Sequence, residues 1–436
     1  MKFCFVFFNL ALVILSNLNA QRIRPAKIKK LIEKSEVLNQ HFSGFMLYDL
    51  EKRKPVFEHL SHKYFTPASN TKLFTFYSGL KLLADSLPGL QYIIKADSLI
   101  FWSAADPVFL HPDFKEQRVK EFLSDSGKNL YWAKGRYLGD FYGVGWSYDD
   151  YNEYYQPEIS EMPVYGNTLR IKKIDGLLMF SPPDTNIFNL VTDTLLKTGN
   201  FKIKRNIENN TFYRTSELIP DSVTQEVPFK TDQITLELLL KNVFPKFKGI
   251  IKEEIPANVQ TIYSVAKDSV FKRLLTQSDN FIAEQLLLNY SIAINKTMES
   301  KNVIDYVLET YLSNLPDKPQ WVDGSGLSRQ NLFTPADMVY ISEMIYDEVA
   351  NEERLFNLLP NGGKTGTLRS IFKDKSPFIF AKSGSLSNNY NLTGYLKTKA
   401  GKTLIFSFMN NNFLSTTAKV KKEMEKILTL IHEKYR

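Results

Sequence analysis

Three short motifs stand in order along the chain: Ser69-Asn70-Thr71-Lys72, Ser278-Asp279-Asn280 and Lys382-Ser383-Gly384. Written as S-x-x-K, S-x-N and K-[ST]-G, they supply a hydroxyl with an amine three residues on, a second hydroxyl beside an amide, and a cation next to a hydroxyl. Neighbouring motifs are separated by 209 and 104 residues, so a fold that uses them must bring three distant segments to one place. No single member is convincing alone.

Each motif has decoys. S-x-x-K recurs at Ser78–Lys81, Ser264–Lys267, Ser269–Lys272 and Ser370–Lys373; K-[ST]-G recurs at Lys197-Thr198-Gly199 and Lys364-Thr365-Gly366; S-x-N recurs at Ser387-Asn388-Asn389. Local pattern chooses among them. Ser69 follows Pro67 and opens a run with apolar residues at 73, 76, 77, 80 and 83, a buried helical face. That start gives Ser69 unpaired backbone N–H groups and the positive end of a helix dipole, with Lys72 on the same face. Ser78–Lys81 lies deeper in the same helix. Lys197-Thr198-Gly199 closes the helix-like run Phe188–Leu196, where Gly199 reads as a C-terminal cap, and it precedes Ser278, the wrong order. Lys364 stands in the turn-rich Leu359-Pro360-Asn361-Gly362-Gly363, whereas Lys382 follows the strand-like Pro377–Ala381 and precedes another strand at Tyr390–Leu396. Lys382 is the choice.

Met1–Ala20 has the pattern of a secretory signal peptide: Lys2, an apolar Phe3–Leu15, and Asn19-Ala20 before Gln21. Its core is too short for a typical membrane span, so no transmembrane segment is expected in the mature chain. The only cysteine, Cys4, falls inside it, which excludes disulfides, a cysteine nucleophile and cysteine metal sites from the mature protein. The five histidines form no ligand spacing, so neither a metal nor another cofactor is expected. The net charge of +8 comes from scattered basic residues without a nucleic-acid-binding pattern, and no nucleic-acid partner is expected. G-x-S-x-G is absent, so a histidine-assisted α/β-hydrolase is disfavoured and lysine becomes the natural base.

The 436 residues exceed one ordinary domain. Helical patterns cover 28–38, the Ser69 segment, 265–275, 281–294, 335–350 and 417–435; strands are expected at 42–48, 55–58, 378–381, 390–396 and 403–408. Between about 86 and 249 the texture changes to short strands, turns and aromatic clusters. The economical division is a signal peptide at 1–20, a discontinuous domain at 21–85 and 250–436, and an insertion at 86–249.

Further elements carry a family likeness. Pro67-Ala68-Ser69, Ala105-Asp106-Pro107, Gly145-Trp146-Ser147-Tyr148-Asp149-Asp150, Asp323-Gly324-Ser325-Gly326-Leu327-Ser328-Arg329, Leu359-Pro360 with Gly363 and Gly366-Thr367-Leu368, and Ala381–Leu386 occur in the order found in the D-alanyl-D-alanine carboxypeptidase/endopeptidases, the class C low-molecular-mass penicillin-binding proteins. The chain resembles that family over nearly all of its mature length; Ser383 replaces the more usual threonine, and the insertion looks compact. The resemblance implies an α/β fold of the serine β-lactamase/DD-peptidase type, an antiparallel sheet flanked by helices plus an all-α subdomain, with a strand-rich inserted domain.

It also implies roles. Ser69 is the nucleophile and Lys72 its base; Ser278 relays a proton to the leaving amine; Asn280 holds the substrate amide. Lys382, Ser383 and Gly384 anchor the terminal carboxylate, and the backbone N–H groups of Ser69 and Ser385 form the oxyanion hole. Asp150 faces the free amine of the stem-peptide diamino acid. Ser325 reads better as a turn under the site than as a nucleophile, and Ser278 and Asn280 also fit a helix N-cap. An ordinary lysine is neutral in roughly one molecule in 2,500 at pH 7, so Lys72 needs burial and a nearby cation, for which Lys382 is placed in sequence. The implied activity is D-Ala–D-Ala carboxypeptidase, with endopeptidase cleavage of crosslinks, on peptidoglycan stem peptides in the periplasm, inhibited by β-lactams. A β-lactamase and a non-catalytic peptidoglycan-binding protein are the competing readings; no E-x-x-L-N element supports the first, and five intact polar site residues oppose the second.

Overall fold

The computed structural model describes residues 23–183, 187–196, 199–374 and 376–436. The signal-like segment and Lys197-Thr198 lie outside these.

The two ends of the chain build one sheet. Its five strands run in the order Ile379–Leu386, Asn389–Lys397, Thr403–Asn411, Phe42–Asp49, Lys54–His59, all antiparallel, with Phe42 opposite Asn411 and Asp49 opposite Leu404. Eight of the nine residues of Asn389–Lys397 are buried, as expected of a central strand covered on both faces. One face packs on the terminal helices Pro25–Glu33 and Thr417–Lys434 through Ile28, Ile32, Val420, Met424, Ile427 and Ile431. The other face packs on a helical layer that contains Lys72–Leu82, Lys267–Thr276, Asn280–Ala293 and Pro335–Val349. Helix Lys72–Leu82 is buried over nine consecutive residues, so its apolar residues face neighbours on every side.

The segment from 86 onward forms a second five-stranded sheet, in the order Phe247–Ile251, Asn129–Ala133, Ser98–Ser103, Ser86–Lys95, Gln260–Ala266, and two three-stranded sheets. A separate apolar core around Phe101, Trp132, Leu169, Phe212 and Phe229 holds them together.

Some local expectations change. Gln260–Ala266 is a strand paired with Ser86–Lys95, so the second sheet reaches past residue 249 and the following helix starts at Lys267 instead of 265. The 188–196 run is not helical: Asn189–Thr192 is a strand paired with Thr211–Arg214, and Phe188 before it packs on Phe212 and Phe229 in a sheet core. Gly199 therefore caps no helix, although its φ of +75° is left-handed. The first helix ends at Glu33, and Leu38 belongs to a separate short turn.

Candidate active site

Ser69 lies in a short 3-10 turn, Ala68–Thr71, that leads directly into helix Lys72–Leu82. Ala68 adopts a left-handed φ of +49°, unusual for a residue with a Cβ, and such strained positions cluster at functional sites. The turn is held from outside. Gly326, at φ +81°, passes so close that a Cβ there would lie 1.9 Å from the Ala68 carbonyl oxygen, and only glycine fits.

Lys72 is fully buried, and its Nζ donates to Ser69 Oγ at 3.0 Å, to Asn280 Oδ1 at 2.6 Å and to the Ser325 carbonyl at 2.6 Å. Two of these partners only accept, whereas a hydroxyl both donates and accepts. The neutral amine therefore fits the same heavy-atom positions by accepting from Ser69. Burial pulls the Lys72 pKa down to about 8, and Glu284, Asp323 and Asp279 oppose the shift. Burial, and then the charge of Lys72, hold Lys382 well below the ordinary lysine range. Burial is the leading cause that lowers Lys72, and the repulsion between the two amines acts on both.

The second motif is arranged differently from a simple cap. Asp279, not Ser278 or Asn280, caps helix Asn280–Ala293, accepting from the Ile282 N–H at 3.1 Å. The two flanking side chains are thereby free for the cleft. Ser278 is left-handed, with φ +58°, and its Oγ accepts from Lys382 Nζ at 2.8 Å. Asn280 Nδ2 donates to the Tyr155 carbonyl at 2.9 Å, which fixes its Oδ1 toward Lys72.

The third motif lies on Ile379–Leu386, the edge strand of the main sheet. Gly384 explains how the strand reaches the serine turn: a Cβ there would lie 2.3 Å from the Pro67 carbonyl oxygen. Ser383 Oγ donates to Thr367 Oγ1 at 2.7 Å, and Ser385 is exposed beside it. Lys364 is exposed in a turn with its N–H bonded to the Asn361 carbonyl, away from the cleft.

These residues open onto a cleft of about 990 Å³, lined among others by Ser69, Ser278, Asn280, Ser383, Ser385 and Asp150. Asp150 belongs to the short turn Tyr148–Asn152 and is half-buried. Burial, and then the Asp150 carboxylate bonded to its hydroxyl, push the Tyr155 phenol up. The same segment is tied to the main body by Trp146, whose indole N–H donates to Asp323 Oδ2 at 2.9 Å. Ser325 is fully buried beneath the site, as a turn residue.

Sequence reasoning missed four contributors. Thr367 meets Ser383, and Arg329 lines the cleft and donates to the Ser387 carbonyl at 3.1 Å. Tyr155 acts through its main chain, which no side-chain motif reveals. Arg273 links Asp279, at 2.9 Å, to Asp113, at 2.8 Å, and Asp113 is in turn gripped by both terminal nitrogens of Arg170. That chain of charges ties the catalytic turn to the inserted strands and, led by the Arg170 hydrogen bonds, holds the Asp113 carboxyl well below the usual range. Among the described residues no group of three or more His, Cys, Asp or Glu is placed to hold a metal ion, and no helix is long and apolar enough to cross a membrane.

Known proteins resemble the chain in sequence and in fold. In sequence, the chain is 31% identical over 150 residues to penicillin-sensitive carboxypeptidase A of Dictyostelium discoideum, which covers 32% of this chain and 28% of that one. It is 30% identical over 151 residues to D-alanyl-D-alanine carboxypeptidase DacB of Haemophilus influenzae, covering 32% and 31%. The chain thus spans about a third of the length of the curated relatives it matches. In structure, it superposes on penicillin binding protein 4 (dacB) from Haemophilus influenzae with a TM-score of 0.74 at 16% identity, over 94% of this chain and 100% of that one, so the two share a fold. The model of the D-Ala-D-Ala carboxypeptidase 3 (S13) family matches residues 25–175 and 254–434, more than half of the chain. With the three motifs gathered at one cleft and that match spanning both ends of the sequence, the chain belongs to the D-Ala-D-Ala carboxypeptidase 3 (S13) family.

Proposed function

We propose that the protein is a serine D-Ala–D-Ala carboxypeptidase that acts on peptidoglycan stem peptides through an acyl-enzyme on Ser69. The observation that carries this reading is the hydrogen-bonded set in which Ser69, Lys72 and Asn280 meet around one amine while Ser278 and Lys382 meet beside them. Ser69 Oγ attacks the carbonyl carbon of the penultimate D-Ala and its proton passes to Lys72 Nζ. The carbonyl oxygen becomes the oxyanion, taken by the N–H groups of Ser69 and Ser385. When the tetrahedral intermediate collapses, the C–N bond breaks and the proton that Lys72 took from Ser69 passes through Ser278 to the leaving D-Ala amine. Water then attacks the ester and gives a proton to Lys72; the C–O bond breaks, Lys72 returns that proton to Ser69 Oγ, and the shortened peptide leaves as the acid.

Lys382, Ser383 and Thr367 bind the terminal carboxylate. Burial and the charge of Lys72 hold Lys382 down, so a substrate anion would favour its charged form. Asp150 receives the free amine of the stem diamino acid, a role favoured by its half-buried place on the cleft wall. The cleft continues past Ser278 to Arg273, Asp113 and Glu226, which gives room for a leaving group larger than alanine and favours crosslink cleavage as a second activity. β-lactams are the expected inhibitors. We also propose that the division into a discontinuous domain and an insertion holds, with the insertion supplying Asp150 and Tyr155, and that the signal-like residues 1–20 direct the protein to the periplasm.

The test is product analysis. Incubation of the mature protein with pentapeptide muropeptides should remove one D-alanine, and crosslinked dimers should yield monomers. A pentapeptide pool left unchanged in mass would contradict the assignment.

A further inference from the structure

Glu284 is a buried acid that the reaction as written does not use. It follows Asn280 by one turn on helix Asn280–Ala293, so the two side chains share a face. Its side chain is almost wholly buried. Oε2 accepts the Gly324 N–H at 3.0 Å and Oε1 accepts the Ser325 N–H at 2.7 Å. Both oxygens thus accept from main-chain donors, which orients the group and satisfies a carboxylate. The carbonyl of the same Ser325 takes Lys72 Nζ at 2.6 Å, so one residue separates the acid from the amine.

A carboxylate in such a place is costly unless a positive charge opposes it. Burial, and then Asp323, push the Glu284 carboxyl up to about 8, so its charged form belongs to the same pH range in which Lys72 loses its proton. The charged or titratable groups around the pair are Asp323 from the turn, Asp279 at the head of the helix, Tyr137 from the inserted wall and Lys382 from the edge strand. Asp323 is occupied by Trp146, Asn331 and the N–H groups of Gly326 and Ser328. Lys382 is occupied by Ser278 and its own strand. Among the described residues Lys72 is the cation left to face Glu284, which leads the charges that raise it.

We infer that Glu284 is the buried counter-ion of Lys72 and a positioning residue for acyl transfer: its carboxylate fixes the Gly324–Ser325 turn whose carbonyl holds Lys72 Nζ, and its charge balances the ammonium formed when Ser69 gives up its proton. The inference rests on the reading of Ser69 as nucleophile and Lys72 as base. In the step concerned, the Ser69 O–H bond breaks, an N–H bond forms at Lys72, and the new positive charge appears opposite a fixed negative one. Because the anion is already oriented by two main-chain donors, little reorganisation accompanies the transfer.

The test compares acylation by a labelled penicillin, as a function of pH, in the wild type, Glu284→Gln and Glu284→Asp. Acylation uses neutral Lys72, so its rate should rise with pH to a plateau above the Lys72 pKa of about 8. Loss of the anion in Glu284→Gln removes an influence that raises Lys72, so the midpoint should fall by about one pH unit or more, with a plateau lowered about tenfold. Glu284→Asp keeps the charge, and its midpoint should stay within about half a unit of the wild type. A wild-type midpoint in Glu284→Gln, with only a lower plateau, would reduce Glu284 to a turn anchor and overturn the inference.

Infrared spectroscopy of Lys72→Met gives a second readout that does not need the glutamine variant to fold. Without its cation, Glu284 should hold its proton to higher pH, so its protonated-carboxyl band should disappear further above pH 8 than in the wild type. An unchanged titration of that band would equally overturn the inference. A wild-type protein that penicillin never acylates would instead defeat the underlying reading of the site.

Discussion

Lys382 Nζ donates to Ser278 Oγ at 2.8 Å, joining the edge strand of the main sheet to the turn that opens helix Asn280–Ala293. This contact selects between two matches to the same K-[ST]-G pattern, at Lys382 and at Lys364. Lys382→Ala should lower penicillin acylation and peptide turnover by on the order of 10²-fold or more, the cost of losing a preorganised electrostatic contact. Lys364→Ala should leave both within about twofold, since exposed side chains away from the site cost little. Stopped-flow acylation of the two variants checks this; the reverse ranking would move the substrate strand to the wrong segment.

Gly384 sets how closely that strand approaches the serine. A Cβ 2.3 Å from the Pro67 carbonyl oxygen has only backbone to push against, so Gly384→Ala must displace the strand or the Ser69 turn. A shift of about 1 Å between reacting groups costs roughly 10²-fold in rate. Acylation should fall by that order while far-ultraviolet circular dichroism stays native. Wild-type acylation in the variant would mean that the two segments need not meet so closely.

In the proposed function Asp150, on the cleft wall, receives the free amine of the substrate. Asp150→Ala should weaken hydrolysis of stem peptides that carry a free side-chain amine by about 1–3 kcal/mol, the range of a charged hydrogen bond. Acylation by a penicillin lacking that amine should hardly change. Equal losses on both would show a general structural role, and kcat/KM on the paired substrates reads the difference.

The sequence made the candidate site side chains legible because three short motifs stand in a fixed order and local pattern separates them from their decoys. Ser69, Lys72, Ser278, Asn280 and Lys382 converge as that order implied, and the strands at 42–48 and 390–396 follow from plain apolar runs bounded by turns. What stayed hidden acts through backbone or burial. Tyr155 orients Asn280 with a carbonyl, and Glu284 looks like an ordinary polar helix residue until Gly324 and Ser325 are folded against it. Asp279 was passed over as a cap because Ser278 and Asn280 have equal capping propensity; only the left-handed φ of Ser278 decides which side chain turns inward. The 188–196 run misled because a short apolar segment has no periodicity that separates helix from strand, and the sheet partner Thr211–Arg214 lies further along the chain.

The central claim is that Ser69 is the nucleophile, and peptide mapping of the protein after reaction with a labelled penicillin tests it most directly. The account predicts one adduct per chain, on the peptide containing Ser69, and none in Ser69→Ala. An adduct on Ser78, which bonds the Phe74 carbonyl inside its helix, or on the buried Ser325 would contradict it.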